Sequence, residues 1–284
     1  MDEHSAAPTV VGGPVVDEEL VEFAVAVARD AGRTASAAFF GTTPGRRRKA
    51  DGTELTDVDL AVEEQVRAAI GRFAPDDAVL GEEAGESGGG SGRRWVVDPI
   101  SGTGYLTRRM PLFANLLAYE DEHGPAIGVI HMPVQRETVF AARGRGCRLL
   151  TGLDQPVAAA RRTRVGDRSQ LDGALVLGAN QHAWSEDLLT ALHRRVNLVG
   201  GIHHAVVHVV TGRVDAAVLV GQGYDDLAPL PVILAEAGGR VSDLDGAPVL
   251  GGNGTVVAAN PRLHGQLRAL ADRRPATRGG KALR

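Results

Sequence analysis

Apolar and polar residues recur along this chain with two different periods. In "VVDEELVEFAVAVARDAGRTASAAFF" (15–40), Leu20, Phe23, Ala24, Val27, Ala28 and Ala31 fall on a helical stripe. "GTTPGRRRKADGTEL" breaks the stripe with Gly and Pro. "TDVDLAVEEQVRAAIGRF" resumes it, with Val58, Val62, Val66, Ala69 and Phe73 on one side. Short apolar runs follow at "DAVLGEE", "RWVVD", "LFANLLAYE", "AIGVIHM" and "TVFAARG". Their close spacing predicts a mainly antiparallel sheet, so this half reads as α+β.

After residue 165 the pattern changes to alternation. "ALVLGA", "VNLV", "DAAVLV" and "GTVVAA" read as strands, separated by helical "SEDLLTALHRR", "HHAVVHVVTGR" and "DDLAPLPVILAEAGG". That half reads as α/β, which places a boundary near residue 150, between an α+β half (15–150) and an α/β half (151–272). Residues 1–14 and 273–284 are polar or rich in Gly, Pro and charge, and read as flexible tails. Inside the organised region only "GESGGGSGRR" (85–94) reads as a flexible loop.

Composition narrows the function. A formal charge of −4 gives no global attraction to nucleic acid or an anionic membrane. "GRRRK" and "RRTR" are local basic runs, but 4% aromatic content argues against a base-stacking surface. A single cysteine, Cys147, excludes an intramolecular disulfide and a cysteine-rich zinc site, and fits a reducing cytoplasm. No apolar run approaches the roughly 20 residues of a membrane span, and the acidic start lacks the parts of a signal peptide. "RGRGC" (143–147) lies between predicted strands, where a dinucleotide-binding turn would need a strand before it and a helix after it.

The acids stand at element ends. Asp59 opens the second helix, Glu82 and Glu83 follow "AVL", Asp98 follows "WVV", and Asp225 and Asp226 open the late helix. Ligand sites of α/β architectures gather at such places, and dispersed carboxylates suit Mg²⁺, a hard ion that takes oxygen ligands. Each acid also has a purely structural reading. Thr56 with Asp59 fits a capping box, Asp225 and Asp226 complement a helix dipole, and Glu82 with Glu83 fits a solvated charge pair. Asp98 lies between an apolar strand and a Pro-Ile-Ser-Gly-Thr turn, has poor strand propensity and needs a partner.

Together, "GEEAG", "WVVDPISGT", "YDD" followed by "EAGG", and "KADGTELTDVD" upstream resemble the inositol monophosphatase superfamily of Mg²⁺-dependent, lithium-sensitive phosphatases. The resemblance covers roughly residues 17 to 272. The stretch "PLFANLLAYEDEHGPAIGVIHMPVQRETVFAARGRGC" is most similar to the histidinol-phosphate phosphatase branch. The resemblance implies the sugar-phosphatase fold, a layered αβαβα sandwich that is often a homodimer. It also implies Mg²⁺ (or Mn²⁺) as cofactor and a small phosphorylated metabolite as ligand. Glu82 and Asp98 match metal-binding acids, with the Ile100 carbonyl completing the first ion's protein shell. Asp226, twelve residues before Gly238, matches the aspartate that holds a second ion. Thr103 and Asp59 match the pair that orients the attacking water, and amides around Gly102 and Thr103 match the phosphate receptor.

One position departs from the motif. The family's D-P-I-D-G-T carries a second aspartate where this chain has Ser101. Exchanging a carboxylate ligand for a neutral hydroxyl, at a net loss of about 2–4 kcal/mol, weakens an ion's binding about 30- to 1,000-fold. Three readings compete: a Mg²⁺-dependent phosphatase with a weakened second metal site, a pseudophosphatase that binds a phosphorylated metabolite, and a family member repurposed in specialised metabolism. The retained Asp59, Glu82, Asp98, Thr103 and Asp226 favour the first. Its substrate would be histidinol phosphate or an inositol, sugar or nucleoside phosphate.

Further departures concern substrate choice. Gly104 stands where the family has Thr or Lys, and Arg108 and Arg109 read either as a receptor for a second anionic group or as a solvated pair. "VGGIHHAVVH" occupies the segment that selects substrate in relatives, which makes His203 and His204 candidate substrate contacts. Ile202 stands there in place of an aspartate. His204 and His208 are spaced i, i+4 without the glutamate of H-E-x-x-H, so a zinc site is not expected.

Overall fold

The computed structural model describes residues 12–41, 45–49, 52–152, 154–201 and 204–271. Its first two helices follow the stripes in the sequence. α1 (Glu18–Phe40) buries Val21, Ala24, Val25, Val27, Ala28, Ala31, Ala35 and Phe39, while Leu20 and Phe23 sit at the margin. α2 (Asp57–Phe73) buries Val62, Val66 and Ile70. Phe73 instead stacks on Phe23 with ring centroids 3.9 Å apart, which caps the helix pair at the surface.

A two-stranded ribbon, β1 (Arg46–Arg48) and β2 (Glu54–Thr56), leads into α2. The larger sheet contains β3 (Ala78–Gly81), β4 (Gly85–Ser87), β5 (Arg94–Ser101), β6 (Ala114–Asp121), β7 (Gly124–Met132), β8 (Glu137–Ala142), β9 (Gly146–Thr151) and β10 (Arg161–Arg162). Its order is β10-β9-β8-β7-β6-β5-β3-β4, and β3 with β5 is its one parallel pair. The mainly antiparallel expectation holds. "GESGGGSGRR" is more ordered than its composition suggests: β4 pairs with β3, and the Asp76 carbonyl accepts from the amides of Gly90 (2.8 Å) and Ser91 (3.0 Å). At the N-terminal edge the Pro14 carbonyl is held by Arg143 Nε at 2.8 Å.

The second sheet is mixed. It contains β11 (Leu175–Gly178), β12 (Asn197–Gly200), β13 (Ala216–Leu219), β14 (Arg240–Ser242) and β15 (Val256–Ala259) in the order β12-β11-β13-β15-β14. Parallel pairing joins β11 to β12 and β13, and antiparallel pairing joins β15 to β13 and β14. The accompanying helices are α4 (Glu186–His193), α5 (Val206–Val210), α6 (Tyr224–Leu227), α7 (Leu230–Glu236) and α8 (Pro261–Ala271), with the short α3 (Thr103–Thr107) after β5.

Alternating side chains sort these elements into layers. On the first sheet, Leu117, Tyr119, Ile127 and Val129 face α1 and α2, while Leu116, Ile130 and Met132 face α5 and α7. On the second sheet, Ala217, Leu219, Val256 and Ala258 meet the same central helices, and Ala216, Val218, Val257 and Ala259 turn outward to α4 and α8. The result is the αβαβα sandwich. Both faces of the central strands are buried, which is why those strands read as continuous apolar runs, while the edge strands β4, β10 and β12 stay largely exposed. Gly128 permits a close approach of backbone between layers: a Cβ there would sit 2.5 Å from the Pro229 carbonyl oxygen, just after α6. No helix among the described residues is long and apolar enough to cross a membrane.

Candidate active site

The site forms where β5 ends. Strand pairing with β6 is regular up to Asp98 opposite Leu116 and resumes at Ser101 opposite Ala114, so Pro99 and Ile100 together oppose Asn115. This bulge re-aims the backbone. Asn115 Nδ2 donates to the Pro99 carbonyl, and the Ile100 carbonyl accepts from Thr103 Oγ1 at 3.1 Å. Gly102 then turns the chain with φ +90, where a Cβ would meet Tyr105 at 3.0 Å and the Leu112 carbonyl at 3.2 Å. Tyr105 Oη donates to the Gly201 carbonyl, which ties α3 to the second sheet.

Asp59 serves both readings that its sequence left open. Its Oδ2 closes the capping box by accepting from the Thr56 amide at 2.8 Å and from the Thr56 hydroxyl. Its Oδ1 accepts from Thr103 Oγ1 at 2.9 Å. The carboxylate is fully buried, and that burial raises its pKa against the pull of the Thr56 and Thr103 hydrogen bonds.

Glu82, Asp98 and Asp225 converge, with one oxygen of each within 4.8 Å of the others. Asp98 is only 2% exposed, and its Oδ1 has no hydrogen-bond partner among the described residues. Burial pushes its pKa well up, and the charges of Glu82, Asp226 and Asp225 push the same way. Asp225 is driven to about 7 by burial and by Asp226 and Glu82. Glu82 is raised chiefly by burial, opposed by Lys49. An orphaned, buried carboxylate oxygen among other acids is costly without a cation. An all-oxygen donor set of this kind fits a hard divalent ion.

Asp226 lies beside the group but is engaged by protein donors. Its Oδ1 accepts from Ser101 Oγ at 3.0 Å and its Oδ2 from the Gly223 amide at 3.3 Å. Arg108 and Arg109 turn to protein acceptors. Arg108 pairs with Glu54 at 3.0 Å and reaches the Gly104 carbonyl at 2.7 Å, and Arg109 donates to the Gly41 carbonyl at 2.6 Å. His204 is buried just before α5, whereas Ile202 and His203 lie outside the described residues.

Several residues that hold the site were not singled out from the sequence. Lys49 of the basic run donates to Glu82 Oε1 at 2.6 Å and lies 2.7 Å from Glu83 Oε1. Glu63, its side chain 2% exposed, accepts from the amides of Glu83 (2.8 Å) and Ala84 (3.1 Å) and pairs with Arg67 at 2.8 Å. Its i, i+4 spacing from Arg67, beside the apolar stripe of α2, was the available signal. Tyr224 anchors α6 to the first sheet, donating to Glu120 at 2.6 Å and accepting from Arg94 at 2.8 Å.

Comparison with known proteins agrees with this geometry. The family model described as "Inositol monophosphatase family" matches residues 16–276. A histidinol-phosphatase of Mycobacterium tuberculosis is 35% identical over 77% of this chain and 85% of its own length. A Streptomyces griseus protein named glucose-1-phosphate thymidylyltransferase is 34% identical over 78% of this chain and 85% of its own length. The crystal structure of the extragenic suppressor protein suhB from Bartonella henselae superposes with a TM-score of 0.82 at 23% identity, covering 90% of this chain and 99% of that one. The likeness in sequence and in layer order makes this chain a member of the inositol monophosphatase family, whose enzymes hydrolyse phosphoric monoesters.

Proposed function

We propose that the protein hydrolyses a small phosphate monoester with Mg²⁺, the same oxygen donors also suiting Mn²⁺. The observation that carries this reading is the buried Asp98, its Oδ1 without a donor among the described residues, beside Glu82 and two residues from the carbonyl that Thr103 touches. A divalent cation bound there would neutralise phosphate charge and acidify water. Glu82, Asp98 and the Ile100 carbonyl would hold it. Thr103 has one hydroxyl proton, committed to Asp59 Oδ1 or to the Ile100 carbonyl, so toward a water it acts as an acceptor. That contact orients the water's oxygen for attack at phosphorus. The water's proton then passes to Thr103 Oγ1 as Thr103's own proton moves to Asp59 Oδ1, and the ester oxygen leaves with a proton from solvent. Amides at Gly102 and Thr103 receive the phosphate.

The working form in this reading is a cytoplasmic homodimer acting on free metabolites. The sole cysteine fits that compartment because it leaves no intramolecular disulfide to form; Cys147 is buried, and burial pushes its thiol up to about 11, which fits a structural role. Light scattering in solution tests the dimer.

The decisive assay measures phosphate release with Mg²⁺ from histidinol phosphate, inositol phosphates, sugar phosphates and nucleoside phosphates. Hydrolysis of at least one, abolished in Asp98→Asn, is expected. A parallel arm with glucose 1-phosphate and dTTP tests the reaction that the Streptomyces relative's name describes. Pyrophosphate formation there, with no hydrolysis of any monoester, overturns the phosphatase reading.

A further inference from the structure

We propose that Asp225 supplies the carboxylate that Ser101 lacks, so that the cation site is completed from α6 and not from the β5 turn. The inference rests on the metal-dependent phosphatase reading above and assigns the residue that compensates for its altered motif.

Oxygens around one hard ion at about 2.1–2.4 Å lie roughly 3–4.8 Å from one another. One oxygen each from Glu82, Asp98 and Asp225 meets that condition. The convergence is more than a surface cluster of acids, because Asp98 is 2% exposed and its Oδ1 has no donor among the described residues. Asp226 differs in that both of its oxygens accept from protein donors, Ser101 Oγ and the Gly223 amide. The serine thus keeps Asp226 in place without bringing a charge of its own.

Gly223 supplies a separate, steric observation. Its φ of −75 is open to any residue, so backbone conformation does not call for glycine. Space does: a Cβ at 223 would lie 2.5 Å from Asp225 Oδ1. The bare backbone leaves the Asp225 carboxylate room to lie where it does. Tyr224, bonded to Glu120 and Arg94, fixes α6 against the first sheet, so Asp225 is carried on a clamped element.

Calorimetric titration of Mn²⁺ into the metal-free full chain tests the assignment without any turnover. Asp225→Asn, near-isosteric, is expected to weaken binding at least tenfold. Gly223→Ala, which keeps every carboxylate but crowds Asp225, is expected to weaken it in the same direction. Ser101→Asp in the Asp225→Asn background is expected to recover most of the loss, because the carboxylate has only been moved. Thermal melting checks folding, and either single variant decides if the other fails to fold. Parent-like affinity in folded Asp225→Asn, or no recovery in the double variant, overturns the inference while leaving the phosphatase reading intact. If Asp98→Asn binds as the parent does, or the parent binds no cation, the underlying reading is what fails.

Discussion

Ser101 donates its hydroxyl to Asp226 across 3.0 Å and so links the end of β5 to α6. A serine thereby holds, through a neutral donor, an acid that in the proposed reading stands beside the cation. Ser101→Asp replaces that bond with two facing carboxylates. Without cation the variant should melt lower than the parent, from like-charge repulsion. With saturating Mg²⁺ it should bind the ion at least tenfold more tightly and hydrolyse a generic phosphate ester faster. Titration and phosphate release on the folded variant check this, and no gain in either would show that Ser101 does not stand in a second-ion site.

The Thr103–Asp59 contact makes a different prediction. Thr103→Val removes the hydroxyl that would accept from the attacking water, and kcat should fall about 10²- to 10⁴-fold. Thr103→Ser retains the hydroxyl and should keep most of the rate. Mn²⁺ affinity should change little in either, since Thr103 contributes no carboxylate. A valine variant that retains parental kcat would remove Thr103 from the water-orienting role.

The raised pKa values fix the sign of a pH effect. Asp225, at about 7, keeps its proton in the folded protein over a range where the unfolded chain, near 3.9, has released it. Asp98 and Glu82 are shifted the same way. Folding stability of the metal-free protein should therefore fall as pH rises from about 4 to 7. Cation binding must displace these protons, so Mg²⁺ affinity should rise over the upper part of that range and the metal-induced increase in Tm should grow with it. Melting curves with and without Mg²⁺ at pH 5.5 and 7.5 check both signs. A larger Mg²⁺ effect at the lower pH would contradict the assignment of these acids to the cation.

Much of this was legible because local pattern and tertiary demand coincide. α1 and α2 carry stripes that the sheet then covers, and the break in pairing at Pro99–Ile100 falls on the Pro-Ile-Ser-Gly-Thr turn that the sequence marks. Strand β9 leaves no apolar signal because Arg148 interrupts its pattern; in the fold that guanidinium lies 4.8 Å from the Phe140 ring centroid and pairs with Glu18 at 2.8 Å. Helix α8 had a readable start in Asn260-Pro261, where the Asn260 side chain accepts from the amides of Arg262 and Leu263 at 3.0 Å. The site's carboxylates were visible as motif positions, but Lys49, Glu63 and Tyr224 act through partners 33, 20 and 104 residues away. Pairings at such separations have no local periodicity to betray them.

Glu63 gives that long-range support a measurable consequence. Its carboxylate accepts from two successive amides of the turn after Glu82 and is braced by Arg67, which also donates to the Val79 carbonyl at 3.1 Å and to Ser87 Oγ at 2.7 Å. Glu63→Gln keeps the shape but turns one accepting oxygen into a donor facing backbone N–H groups. Because Arg67 retains other acceptors, the cost should be about 2–3 kcal/mol and not the full loss of a buried ion pair. That corresponds to a Tm lower by roughly 4–10 °C. Mn²⁺ affinity should fall as well, since the turn aims Glu82. Gly81→Ala attacks the same support by another route, because its Cβ would collide with Glu63 Oε1. Parental Tm and parental Mn²⁺ affinity in folded Glu63→Gln would show that the Glu82 turn stands without Glu63.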